Sequence, residues 1–162
     1  TQTVAEDGTL AFTGGSTISV ADADNNLSSA TLTVTNGVLN ASNAGGATVT
    51  NNGTATVTLT GSQAQINTAL ATLDFRPTAD YNGAATLTVV SSDGTASDTD
   101  TVTITVSPVA DVANDNLTTN EDTAVTANVL TGTGGASADN FEGSPSVTAT
   151  STPANGTVSF NA

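Results

Sequence analysis

The stretch "AATLTVVSSDGTASDTDTVTITV" (residues 84–106) alternates threonine with apolar side chains on either side of an Asp-Gly pair. A period of two buries one face of a strand and leaves the other in water. Threonine suits the wet face because its branched Cβ fits pleated backbone. Asp93 and Gly94 supply the left-handed residues that tight hairpin turns need. The alternation recurs in "TLTVT" (31–35) and "ATVTLT" (55–60), with shorter candidates at "TLAFT" (9–13) and "ISV" (18–20). Further turn signals fall at "TNG" (35–37), "NNG" (51–53) and "YNG" (81–83).

One segment has a different period. "GSQAQINTALATLDF" (61–75) spaces Ile66, Ala69, Leu70 and Leu73 as a helix does, and Ser62 with Gln65 reads as a capping box. The spacing predicts a short crossover helix over about 63–72 that covers the core. Strand number and turn spacing predict an all-β fold, a β-sandwich of about seven strands over residues 1–107. Pro108 marks a boundary, and residues 108–116 read as an acidic linker. Beyond it the pattern restarts: Glu6-Asp7 recurs as Glu121-Asp122, an offset of 115 residues. Residues 117–162 therefore read as a partial second sandwich, with strands at "SVTATST" (146–152) and "NGTVSFN" (155–161). Half a sandwich cannot bury a core, so the missing strands are expected from a continuation of the chain or from a neighbouring molecule. The opening residues already look like β-sequence, as in a piece of a longer protein.

Fifteen acids against one base, Arg76, give a net charge of −14. Such a surface repels nucleic acid and anionic membrane, and no apolar run has the ~20 residues a membrane helix needs. The apolar fraction of 36% is regularly patterned, which favours a fold over disorder. Cys, His, Met and Trp are absent. That removes disulfides, thiol catalysis and the usual zinc and copper sites, and leaves oxygen-liganded ions, chiefly calcium. With no His, a single tyrosine (Tyr81) and 3% aromatics, no catalytic reading finds its parts.

The acids cluster between strands: Glu6 and Asp7, Asp22 and Asp24, Asp74, Asp80, and Asp93 with Asp98 and Asp100. Loops of a sandwich gather at its two ends, where carboxylates repel each other and calcium relieves the repulsion. In "DAD", alternate residues of an extended chain put Asp22 and Asp24 on one face. Other readings stand beside ligation. Asp80 and Asp93 are also ordinary turn residues, Asp98 and Asp100 suit a solvated face, and Glu6 with Asp7 is also a strand start.

"ADAD" (21–24), "LDF" (73–75), "SDG" (92–94) and "NDN" (114–116) resemble, in their order, the calcium motifs of cadherins. "EDT" (121–123), "DFRPTADYNG" (74–83) and "PANGTVSFNA" (153–162) resemble the bacterial cadherin-like and immunoglobulin-like tandem repeats of large surface adhesins. The resemblance implies calcium at each junction between repeats. It would place Glu6, Asp74, Asp111, Asn114, Asp115 and Asn116 at the junction after the first domain, with Asp139 and Glu142 added from the second. Asp22, Asp24 and Asp93 would serve the opposite end. The chain departs from the pattern at Arg76, which stands where the family has a Glu, and in a linker one residue longer. The implied function is an extracellular adhesin module, a calcium-stiffened spacer at the cell surface or in a biofilm matrix, whose partners are neighbouring repeats. Two alternatives stand: a filament of identical subunits assembled by strand complementation, and a sandwich that binds a glycan or a surface.

Overall fold

A computed structural model describes residues 1–110, 112–141 and 144–160. The chain forms two compact units, Thr1–Pro108 and Val109–Ala162.

The first unit is all-β with one helix. Its strands are β1 (Gln2–Ala5), β2 (Leu10–Ala11), β3 (Ser29–Val34), β4 (Gly37–Asn40), β5 (Thr48–Thr50), β6 (Thr56–Thr60), β7 (Asp74–Pro77), β8 (Gly83–Ser92) and β9 (Ser97–Ser107), with α1 (Gln63–Leu70) between β6 and β7. They form a six-stranded sheet, β1-β9-β8-β3-β6-β5, and a three-stranded sheet, β2-β7-β4. Every pairing is antiparallel except β1 with β9.

The alternation sets which side chains are buried. Leu87, Val89, Leu32, Val57, Leu59, Ile104 and Val106 point from the large sheet into the core, and Leu39 and Phe75 point into it from the small one. Each large side chain so buried contributes about 1.5–3 kcal/mol. The outward positions of the large sheet are the intervening threonines. Register places Thr101, Thr88, Thr33 and Thr56 in one row across four strands.

The helix forms where the apolar spacing puts it, over Gln63–Leu70, and buries Ile66, Ala69 and Leu70. Gln65 Oε1 accepts from the Ser62 backbone N–H at 2.9 Å, the reach-back arm of the capping box. The helix carries the chain from one sheet to the other.

Sequence and structure part at several points. β1, β4, β5 and β7 have only three or four residues, too few for an alternation to stand out. "ISV" (18–20) joins no sheet. Asn67 on α1 serves as its partner instead: Val20 N–H donates to Asn67 Oδ1 at 2.9 Å, and Asn67 Nδ2 donates to the Val20 carbonyl at 2.8 Å. Of the four Asn-Gly and Asp-Gly signals, "NNG" and "SDG" close hairpins, β5–β6 and β8–β9. "TNG" and "YNG" instead turn the chain from one sheet to the other.

In the second unit neither "SVTATST" nor the described part of "NGTVSFN" forms a strand. Its strand-like pairings include the isolated bridges Asn128–Thr133 and Thr131–Ala138. No described residue of this unit is buried, and Val125, Val158 and Phe160 are exposed. The physical reason is pairing: a strand forms when another satisfies its backbone, and these segments meet none. Both Glu-Asp pairs lie in turns closed by a backbone hydrogen bond, but the two turns differ in backbone: Asp122 takes a left-handed φ of 58° and its counterpart Asp7 does not. Gly8 N–H donates to the Ala5 carbonyl at 2.9 Å, and 115 residues later Thr123 N–H donates to the Asn120 carbonyl at 3.2 Å.

A Cβ added to Gly37 would be driven into the Arg76 carbonyl and the Phe75 ring. Gly37→Ala is expected to cost about 1–3 kcal/mol by overpacking. An unchanged midpoint in denaturant unfolding would refute the packing described here.

Candidate functional site

Asp74, Asp98 and Asp100, expected between strands, lie within β7 and β9, whereas Asp22, Asp93, Asp115 and Asp139 take up backbone N–H groups that have no strand partner. Asp93 shows how. In the β8–β9 turn its Oδ1 accepts from Thr95 and Ala96 N–H, both at 2.7 Å, and Gly94 takes the left-handed φ of 93°. These donors favour the charged carboxylate and hold its pKa below the ordinary value of 3.8, the Ala96 N–H contributing most. Both of these bonds fall on Oδ1 and fix the carboxylate in the turn.

Asp93 shares a shallow depression of about 170 Å³ with Asp22 and Asp98, lined also by Leu27 and Ala96. Asp22 is anchored there by two bonds: its N–H donates to Gln63 Oε1 at 2.8 Å, and its Oδ2 accepts from Asn26 N–H at 2.9 Å. Asp24 does not join it. Residues 23–24 form a turn, closed by Asn25 N–H on the Asp22 carbonyl at 3.2 Å, so the alternation of an extended chain does not apply. Asp98 and Asp100 lie on the same face of β9 as Val102 and Ile104 but are exposed, Asp100 opposite the buried Val89 and Asp98 opposite Ser91.

Glu6 is the one buried charged residue among the described residues, at 1% exposure. Its N–H donates to the Ser107 carbonyl at 3.0 Å, and Asn82 Nδ2 approaches its Oε2 at 3.5 Å. Asp74 lies elsewhere. At the start of β7 it accepts from Asn40 Nδ2 at 2.9 Å, and Arg76 Nε stands 3.7 Å away. That ion pair is exposed on the Arg76 side and worth about 0–1 kcal/mol. Arg76 is therefore a partner for the neighbouring Asp74. Glu6 and Asp74, expected at one junction, are not brought together.

In the second unit Asp115 and Asp139 clasp two segments reciprocally. Asp115 Oδ1 accepts from Ser137 N–H, and Asp139 Oδ1 accepts from Ala113 N–H at 2.6 Å. Asn114 and Asn116 flank this clasp and are exposed. Asp111 and Glu142 lie outside the described residues. Among the described residues no three acidic side chains converge as a metal centre.

Asn40, Asn67 and Asn82 are the polar groups that sequence reading passed over. An Asn in a helix interior, as at Asn67, is the one visible signal, because Asn disfavours that position unless its amide is engaged.

No protein-family model matches the chain, and no curated protein or solved structure is significantly similar to it. Among the described residues no helix is long and apolar enough to cross a membrane.

The lowered pKa of Asp93 sets the sign of a pH effect. Its contribution to the turn is present above the ordinary carboxylate value and is lost as pH falls through the lower folded value. A carbon-detected NMR titration is expected to place the Asp93 midpoint below 3.8, while Asp93→Asn removes this part of the acid dependence. A midpoint at or above 3.8 would contradict the turn geometry.

Proposed function

We propose that this chain is a repeat module of a large extracellular adhesin: an immunoglobulin-like or cadherin-like β-sandwich followed by the start of a second repeat, acting as a calcium-stiffened spacer. The observation that carries the repeat reading is the Glu-Asp pair that recurs 115 residues on, each time inside a turn closed by a hydrogen bond between the residues that flank the pair. Two sheets over one shared core support the sandwich. The role is mechanical rather than catalytic, in keeping with a chain that has no His or Cys.

Asp115 and Asp139 are the best-supported ligands. Each commits Oδ1 to a backbone N–H and leaves its second oxygen to an ion. Asn114 and Asn116, which flank Asp115, carry further oxygens of the kind calcium takes, and the resemblance adds Asp111 from the sequence. Calcium held there would restrain segment 108–116, and without it the acids repel and the segment flexes. Glu6 and Asp74 sit apart from each other and are weaker candidates.

A second reading has its own observation. The second unit exposes Val125, Val158 and Phe160 and has no strand among its described residues. Strands from another subunit would complete it, and the module would then assemble into a filament.

Titration of calcium into the chelated protein is expected to release or absorb heat in the millimolar range or tighter, as extracellular modules do. It should also raise the melting temperature, because the ion binds the folded state. Asp139→Asn is expected to weaken binding at least tenfold. Absence of heat and of any melting shift at millimolar calcium would remove the calcium reading. Electron micrographs showing fibres of the purified chain would favour the filament.

A further inference from the structure

The outer face of the six-stranded sheet carries no charge, in a chain of net charge −14. Its outward positions are threonine or serine, with Ala5, Ala84 and Val90 the exceptions. The strand acids lie elsewhere. Asp98 and Asp100 are on the opposite face of β9, and Asp74 is in the other sheet. Beside the row through Thr101, Thr88, Thr33 and Thr56 runs a second, through Thr99, Val90, Thr31, Thr58 and Thr50. Hydroxyls therefore repeat about every 4.8 Å across the strands and about every 6.7 Å along them.

These hydroxyls are largely unspent. Thr33 and Thr56 contact each other at 3.3 Å, and Thr50 donates to the Thr58 carbonyl at 3.3 Å. The side chains of Thr31, Thr58, Thr88 and Thr101 make no hydrogen bond to any described residue. Each can both donate and accept. Threonine is stiff about χ1, so little rotamer freedom is lost when the face binds something.

Two occupants fit a neutral face, and physical chemistry separates them. A second copy would need about 800 Å² per partner with aromatic or arginine anchors. The dense part of this face measures roughly 20 Å by 20 Å, on the order of 400 Å², and it carries no aromatic residue and no arginine. An uncharged polymer of hydroxyls needs neither anchor. It meets donors with acceptors over the face and loses no ionic hydration. The acids elsewhere on the molecule repel an anionic polymer.

We propose that the outer face of the six-stranded sheet binds an uncharged, hydroxyl-rich polysaccharide. The binding is shallow, extended and weak. It does not depend on calcium, since no carboxylate takes part, and it stands or falls separately from the spacer reading.

The test is depletion of the full chain from solution by amorphous cellulose, a neutral glucan, with insoluble polygalacturonate as the anionic counterpart, each with and without chelator. Retention on the glucan alone, unchanged by chelator, is expected. The variant Thr33→Val/Thr88→Val/Thr101→Val keeps shape and strand preference and removes three hydroxyls. It is expected to lower the partition onto cellulose at least tenfold. Thr148→Val/Thr152→Val/Thr157→Val, in the second unit, is expected to leave it unchanged. Circular dichroism melts confirm folding, and Thr101→Val alone replaces the triple variant if that one unfolds. Equal retention on polygalacturonate, no retention on cellulose, or undiminished binding by the folded variant would overturn the proposal. So would sedimentation showing that the chain self-associates through this face and that the triple variant is monomeric.

Discussion

The register between β8 and β9 is the constraint from which the rest of the first unit follows. Ten consecutive pairs, from Gly83–Val106 to Ser92–Ser97, lock the two longest strands together. In a pleated strand a slip of one residue moves every side chain to the other face. Here it would put Leu87, Val89 and Ile104 in water and drive threonines into the core. The Asp93 turn closes this hairpin with two charge-assisted bonds and so holds its parity. β3 then takes its register from β8, β6 from β3, and β5 from β6.

Side-chain amides and carboxylates complete what the sheets leave open. The long connection from β2 to β3 has no strand partner, and Asn67 and Gln63 on α1 satisfy its backbone at Val20 and Asp22. The helix thus covers the core with Ile66 and Leu70 and anchors the connection with its polar residues. Among the described residues no buried side-chain polar atom lacks a partner, as expected when an unmet group costs about 1–3 kcal/mol.

Placement of charge follows the same logic. Asp22, Asp93, Asp115 and Asp139 each accept a backbone N–H in a turn or irregular segment, so the acids are structural before they are anything else. An ion arriving at Asp115 and Asp139 would add to bonds already made. The outer face of the large sheet is left as a neutral hydroxyl surface, because the acids fall in loops, in the other sheet or, at Asp98 and Asp100, on the opposite face of β9.

Much of the first unit is legible in the sequence. Long alternating runs such as 84–106 specify strands and their buried faces, since a period of two admits one face for the core. The spacing of Ile66, Ala69 and Leu70 behind Ser62 and Gln65 specifies the helix. The Glu-Asp repeat is readable as well, being a local turn that needs no distant partner. Tertiary structure alone decided the remainder. Whether an Asn-Gly pair closes a hairpin or turns the chain between sheets depends on which strand lies alongside. Whether "ISV" becomes a strand depends on an amide 47 residues away. Which carboxylates meet depends on where the sheets place the ends of their strands. That is why Asp22 shares a depression with Asp93, while Glu6 and Asp74 stay apart.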